Sequence, residues 1–103
     1  MKKFIYLISS EEKNKYKIGV SLNPTKRIKQ LQTGCGEKLT LINTYECNYP
    51  YKVEKALHFT YEYLKSQGEW YKLTLEDEIN FIKNCEKCEK NILILKKSGN
   101  EFI

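Results

Sequence analysis

Two groups of residues in this 103-residue chain combine types and spacing that can do chemistry. Glu54 and the only histidine, His58, stand four apart in a segment of helical periodicity, which stacks a carboxylate and an imidazole on one helix face. Cys85 and Cys88 form a Cys-x-x-Cys pair, with Cys35 and Cys47 elsewhere in the chain. A structural zinc site takes four ligands, often as two such pairs, and here the single pair falls in a helical segment among Glu and Lys. The thioredoxin-like strand and helix context of a redox pair is also missing. The cysteines therefore read as thiols of an intracellular chain.

Charge points to a class of partner. The net charge is +5, and residues 1–33 hold eight basic side chains against Glu11 and Glu12, a net of +6. The remaining seventy residues carry ten Lys against eleven acids, a net of −1. A positive field confined to one third of a chain suits a polyanion, most simply a nucleic-acid backbone. The plainer alternative is a solvated lysine-rich surface.

The elements that must position these residues follow from local pattern. The length fits one domain, and eight Tyr, four Phe and one Trp argue against disorder. Residues 4–9 (FIYLIS) and 16–21 (YKIGVS) read as two strands of a β-hairpin around a polar turn. Asn23-Pro24 is a helix start, an N-cap residue followed by Pro at the first helical position, for a helix reaching Gln32. Its apolar residues Ile28 and Leu31 face the core, with Arg27 at the edge of that stripe. Residues 38–47 form a third strand. A long helix spans about Tyr51–Ser66, with the stripe Val53, Ala56, Leu57, Thr60 and Leu64. Residues 69–73 are a short strand after Gly68. Thr74 caps a last helix with Glu76, Asp77 and Glu78 in its first turn and Leu75, Ile79 and Ile82 on its buried face. That helix fades near Lys90, so residues 1–90 make the domain and 91–103 a final strand or tail packed on it. The expected architecture is α/β (α+β): a small mixed sheet that starts with a hairpin, flanked by about three helices. No apolar run approaches a membrane span. The apolar run after Lys2-Lys3, about five residues, is shorter than a secretory leader requires. A cytoplasmic or nuclear location with no membrane partner is expected.

This order of elements and several residues resemble the GIY-YIG nuclease superfamily over residues 3–73. Phe4-Ile5-Tyr6 stands at its first motif, with Phe for Gly, and Lys17-Ile18-Gly19 at its second, with Lys for Tyr. Arg27 and Glu54 fall on the helices where that family keeps its arginine and its metal-binding glutamate. The match is closest to a viral and phage branch. There Lys17-Ile18-Gly19, Asn23-Pro24, Arg27, Leu31-Gln32-Thr33, Glu54 with His58, and Gly68-Glu69-Trp70-Tyr71 recur in this order.

The resemblance implies a metal-dependent DNA endonuclease that hydrolyses phosphodiesters with an activated water. Its implied catalytic residues are Tyr6, Lys17, Arg27, Glu54 and His58. Glu54 would hold one divalent ion, Mg²⁺ or Mn²⁺, and no small-molecule cofactor is implied. The residue types suit the chemistry. A hard cation takes one or two carboxylates plus water and acts as Lewis acid and template. Arginine offers a permanently charged planar fork for phosphate. Tyr6 can orient or deprotonate the attacking water, the latter only where a nearby cation lowers its ordinary pKa of about 10. Lys17 is either a point charge on the scissile phosphate or a solvent-facing strand residue. His58 can brace the carboxylate, ligate the ion or move protons. Trp70 reads as core and Glu69 either as an ordinary surface acid or as one that reaches the site, while Asn80 and Asn84 are both candidates for a late site asparagine. The departures at Phe4 and Lys17 also fit a catalytically inactive nucleic-acid-binding module, and a protein-interaction domain is the third reading. Base readout needs a recognition module that the chain does not show, and its oligomeric state is not legible.

Overall fold

β1 (Lys3–Ser10) carries a nearly continuous apolar run because it is central and covered on both faces. Ile5 and Leu7 point to one side, and Tyr6 and Ile8 to the other. The computed structural model of the chain describes residues 3–11, 14–66, 68 and 70–99. β2 (Lys15–Ser21) returns beside β1 as the expected hairpin, and β3 (Leu39–Cys47) lies on the other side of β1. β4 (Trp70–Tyr71) pairs with β2 to give the order β3-β1-β2-β4.

The hairpin start and helix-flanked sheet agree with the sequence reading, but every strand pair is antiparallel rather than mixed. β2 and β3, which a helix joins, do run in the same direction. They never pair because β1 lies between them.

α1 (Pro24–Thr33) begins where expected: the Asn23 side chain accepts from the Lys26 amide and Pro24 occupies the first turn. Ile28 and Leu31 pack with Tyr6, Ile8 and Leu39. Gln32 fixes the following loop, donating to the Glu37 carbonyl at 2.6 Å while accepting from the Leu39 amide at 2.8 Å. That amide thereby sets the start of β3.

α2 (Pro50–Thr60) buries Val53 and Leu57 on the opposite sheet face. It stops six residues before the expected Ser66. Tyr61, buried in the core, caps it, and a 3₁₀ turn (Glu62–Leu64) follows. The Ser66 amide then donates to the Trp70 carbonyl and the Lys72 amide to the Leu64 carbonyl. Pairing with β4 thus takes over the backbone groups that further helix would have used.

The last helix is two helices. α3 (Leu75–Ile79) has the Thr74–Asp77 capping box, and Asn80 separates it from α4 (Phe81–Lys97). Leu75 and Ile79, expected on a buried face, are exposed. Residues 91–97, expected as a final strand or a tail, are the continuation of α4. Phe81, Cys85, Cys88 and Ile92 recur at helical spacing against the core, so the stripe carries the helix past Lys90. Glu89 fastens α4 to the end of β3. It accepts from the Tyr45 hydroxyl at 2.7 Å, the Cys47 thiol at 3.0 Å and the Asn48 amide at 3.1 Å. No helix among the described residues is long and apolar enough to cross a membrane.

Candidate active site

Among the described residues, β4 pairs along β2 with Tyr16 and Lys17, next to Ile18, Gly19 and Val20. A cavity of about 270 Å³ opens there, lined by Tyr6, Lys17, Ile18, Gly19, Val20, Arg27, Glu54 and His58. The five residues singled out in the sequence therefore come together, from β1, β2, α1 and α2. The helices pack in separate clusters on the two faces of the sheet, and the cavity takes lining residues from both.

Tyr6 and Gly19 are directly opposed across the β1–β2 pair. The Tyr6 residue is only 3% exposed. Its ring lies across Gly19 so closely that a Cβ there would stand 2.9 Å from Cε2, with the hydroxyl end of the ring nearer still. The absence of a side chain at 19 is what lets the phenol lie along the cavity wall. Lys17, two residues earlier, is half-buried, with Nζ 6.0 Å from the centroid of the Trp70 ring. Arg27 reaches the cavity from an exposed position on α1.

Glu54 and His58 face each other one turn apart on α2, with Nε2 3.7 Å from Oε2 and side chains 26% and 32% exposed respectively. His58 Nδ1 is hydrogen-bonded to the hydroxyl of Tyr71. The two rings are tilted at 52° with centroids 5.5 Å apart. A phenol donating to Nδ1 leaves the imidazole proton on Nε2, directed at the carboxylate. Tyr71 is buried on β4, so the chain Tyr71–His58–Glu54 ties the cavity's carboxylate to the core. Sequence reasoning gave Tyr71 no role. The available signal was its place in the Gly68–Tyr71 segment and a buried phenol's need for a partner.

Other expectations fare differently. Glu69 lies outside the described residues. Trp70 is half-buried against the Tyr6, Ile8 and Leu39 cluster. Asn80 caps α4, and Asn84 donates to the Tyr61 hydroxyl at 2.6 Å, so neither lines the cavity. Cys35 packs on the α1 side of the sheet, with Cys47, Cys85 and Cys88 on the other. Burial pushes the Cys47 and Cys85 thiols up to about 12, with the Glu89 hydrogen bond adding at Cys47 and the neighbouring Cys88 at Cys85. They are held protonated and are poor metal ligands at neutral pH.

Among the described residues no three His, Cys, Asp or Glu side chains converge. Among the described residues Glu54 is the one acid lining the cavity. A partly exposed carboxylate in a mostly polar cavity, with space for water and phosphate oxygens, fits a single hard cation of the Mg²⁺ type. Such an ion keeps most of its waters and takes one or two protein carboxylates.

Comparison with known proteins gives one finding. A family model described as the T5orf172 domain matches residues 3–86, which spans the two helices and two strands that line the cavity and the rest of the sheet. No curated protein matches, and no solved structure matches.

Proposed function

The chain belongs to the T5orf172 domain family, a nuclease-like or nucleic-acid-binding module, and from that premise we propose that it is a metal-dependent DNA endonuclease working at the β2 edge. The observation that carries this reading is the convergence of Tyr6, Lys17, Arg27, Glu54 and His58 on one cavity from four separate elements.

Glu54 would hold the divalent ion, which supplies charge relief on the phosphoryl oxygens and a more acidic water. The chain's own residues do the rest. Arg27 presents its fork to the non-bridging oxygens of the phosphate. Lys17 adds a point charge from the adjacent strand. The Tyr6 oxygen orients the attacking water and, as phenolate, would take its proton. The water oxygen forms a bond to phosphorus, the opposite P–O ester bond breaks, and the departing alkoxide takes up a proton from solvent water. His58 keeps Glu54 in place through its Nε2 side, while Tyr71 holds the imidazole from Nδ1.

Nicking of supercoiled plasmid by the purified chain tests the reading. Cutting is expected with Mg²⁺ or Mn²⁺ and not with EDTA. Arg27→Ala, at an exposed position where substitutions usually change stability by no more than about 0.5 kcal/mol, is expected to cut about 100-fold or more slowly, as for loss of one donor to developing oxyanion charge. Metal-independent cutting, or none on linear, branched and single-stranded DNA alike, would overturn it.

A further inference from the structure

A second cavity, of about 440 Å³, begins on the other side of His58. Lys55, His58, Phe59, Glu62, Lys65 and Tyr71 line it. His58 thus lines both cavities and Tyr71 the second, so the two adjoin at one residue of α2. Phe59 is 78% exposed although α2 has an apolar stripe that buries Val53 and Leu57 elsewhere. It is four residues after Lys55, so ring and ammonium share one helix face. Lys65 is held on the far wall, because its backbone bridges to Tyr71. Among the described lining residues, two lysines stand against one acid, Glu62. A flat exposed ring flanked by cations suits a strand of nucleic acid, whose bases stack on aromatics while its phosphates meet lysines. Paired bases have no free face to offer such a ring.

We infer that this cavity receives the nucleotide adjoining the scissile phosphate in unpaired form, its base on Phe59 and its backbone phosphate between Lys55 and Lys65. The substrate is therefore a strand unpaired beside the cut, whether free, in the single-stranded arm of a branch or in a locally opened stretch of supercoiled duplex. The inference rests on the proposed function, since it takes the scissile phosphate to sit beside Arg27 and Glu54. It adds to that reading a substrate class and a stacking residue outside the catalytic set.

The test is binding by fluorescence anisotropy in EDTA, so that nothing is cut. The probes are a labelled single-stranded oligonucleotide and a blunt duplex of the same sequence. The chain is compared with Phe59→Ala, Phe59→Trp and Lys55→Ala, and plasmid nicking with Mg²⁺ is run in parallel. The single strand is expected to bind more tightly than the duplex. Phe59→Ala should weaken single-strand binding about tenfold or more and leave the duplex unchanged, while Phe59→Trp retains it. Lys55→Ala should reduce the salt dependence of single-strand binding by about 0.7 in log–log slope, the share of one phosphate contact. Equal affinity of Phe59→Ala and the parent chain for the single strand overturns the inference. So does equal loss on both probes, which would mark a general surface effect or a face meant for an apolar peptide. A chain that cuts plasmid but ignores Phe59 refutes the stacking site alone. A chain that never cuts but binds single strands through Phe59 refutes the catalytic reading and keeps the binding site.

Discussion

Adding one methyl group at Gly19 should remove the Tyr6 hydroxyl from the site. A Cβ at 19 would stand 2.9 Å from Tyr6 Cε2 and closer to the hydroxyl end, where real Cβ atoms do not sit. The Tyr6 backbone cannot retreat, because β1 is paired on both sides, with Gly19 on β2 and Thr44 on β3. The side chain must therefore swing out of its packing with Ile8 and Leu39. Overpacking of this kind costs about 1–3 kcal/mol. Replacing glycine by alanine inside an element returns about 0.5–1 kcal/mol, so Gly19→Ala should lose about 0–2.5 kcal/mol. A domain with the usual 5–15 kcal/mol of stability remains folded. Catalysis should suffer far more, since a positioned proton acceptor contributes about 100- to 10,000-fold. Urea unfolding and plasmid nicking rates measure the two effects. In a Tyr6→Ala background the clash is gone, and Gly19→Ala should become neutral or stabilising by up to about 1 kcal/mol. Equal destabilisation in both backgrounds, or a folded Gly19→Ala chain cutting at the parent rate, would refute this reasoning.

Tyr71→Phe removes the hydrogen bond that holds His58 and should slow cutting by about 10- to 100-fold, the usual cost of losing an outer support of a metal ligand. DNA affinity in EDTA should be unchanged, and a parallel loss of binding would make Tyr71 merely structural. The folded chain should weaken in alkali. Burial and the Glu78 hydrogen bond push Tyr16 from 10.0 up to about 12, and Cys47 and Cys85 rise from 9.0 to about 12. The unfolded chain releases these protons from about pH 9 onward while the folded chain keeps them. Their stabilisation is therefore full below pH 9 and lost as pH rises toward 12. Urea midpoints across that range check this, and a midpoint that holds constant to pH 12 would contradict it.

Much of the site was legible because its residues sit beside strong local signals. Asn23-Pro24 starts α1, and Arg27 then follows at a set distance within the helix. The Glu54–His58 pair lies beside the stripe of Val53 and Leu57. The α2 end was not legible, because Leu64 continues the helical period while the real competitor, pairing of 65–66 with β4, is a long-range contact. Residues 91–97 are an apolar run that alone fits strand or helix. Only the register of Phe81, Cys85, Cys88 and Ile92 shows that α4 passes through them. Leu75 and Ile79 looked buried because the break at Asn80 was invisible, and that break lets the five-residue α3 stand off the core. Tyr71 was missed since its role depends on β4 landing beneath His58.

The measurement that bears most directly on the catalytic reading is Glu54→Gln assayed for cutting and for DNA binding together. Glutamine keeps the shape and the position beside His58 but loses the charge that would hold a cation. The expected result is a folded chain that binds DNA as the parent does and does not cut it with Mg²⁺ or Mn²⁺. Cutting at the parent rate by Glu54→Gln would contradict the assignment of this cavity as the catalytic site.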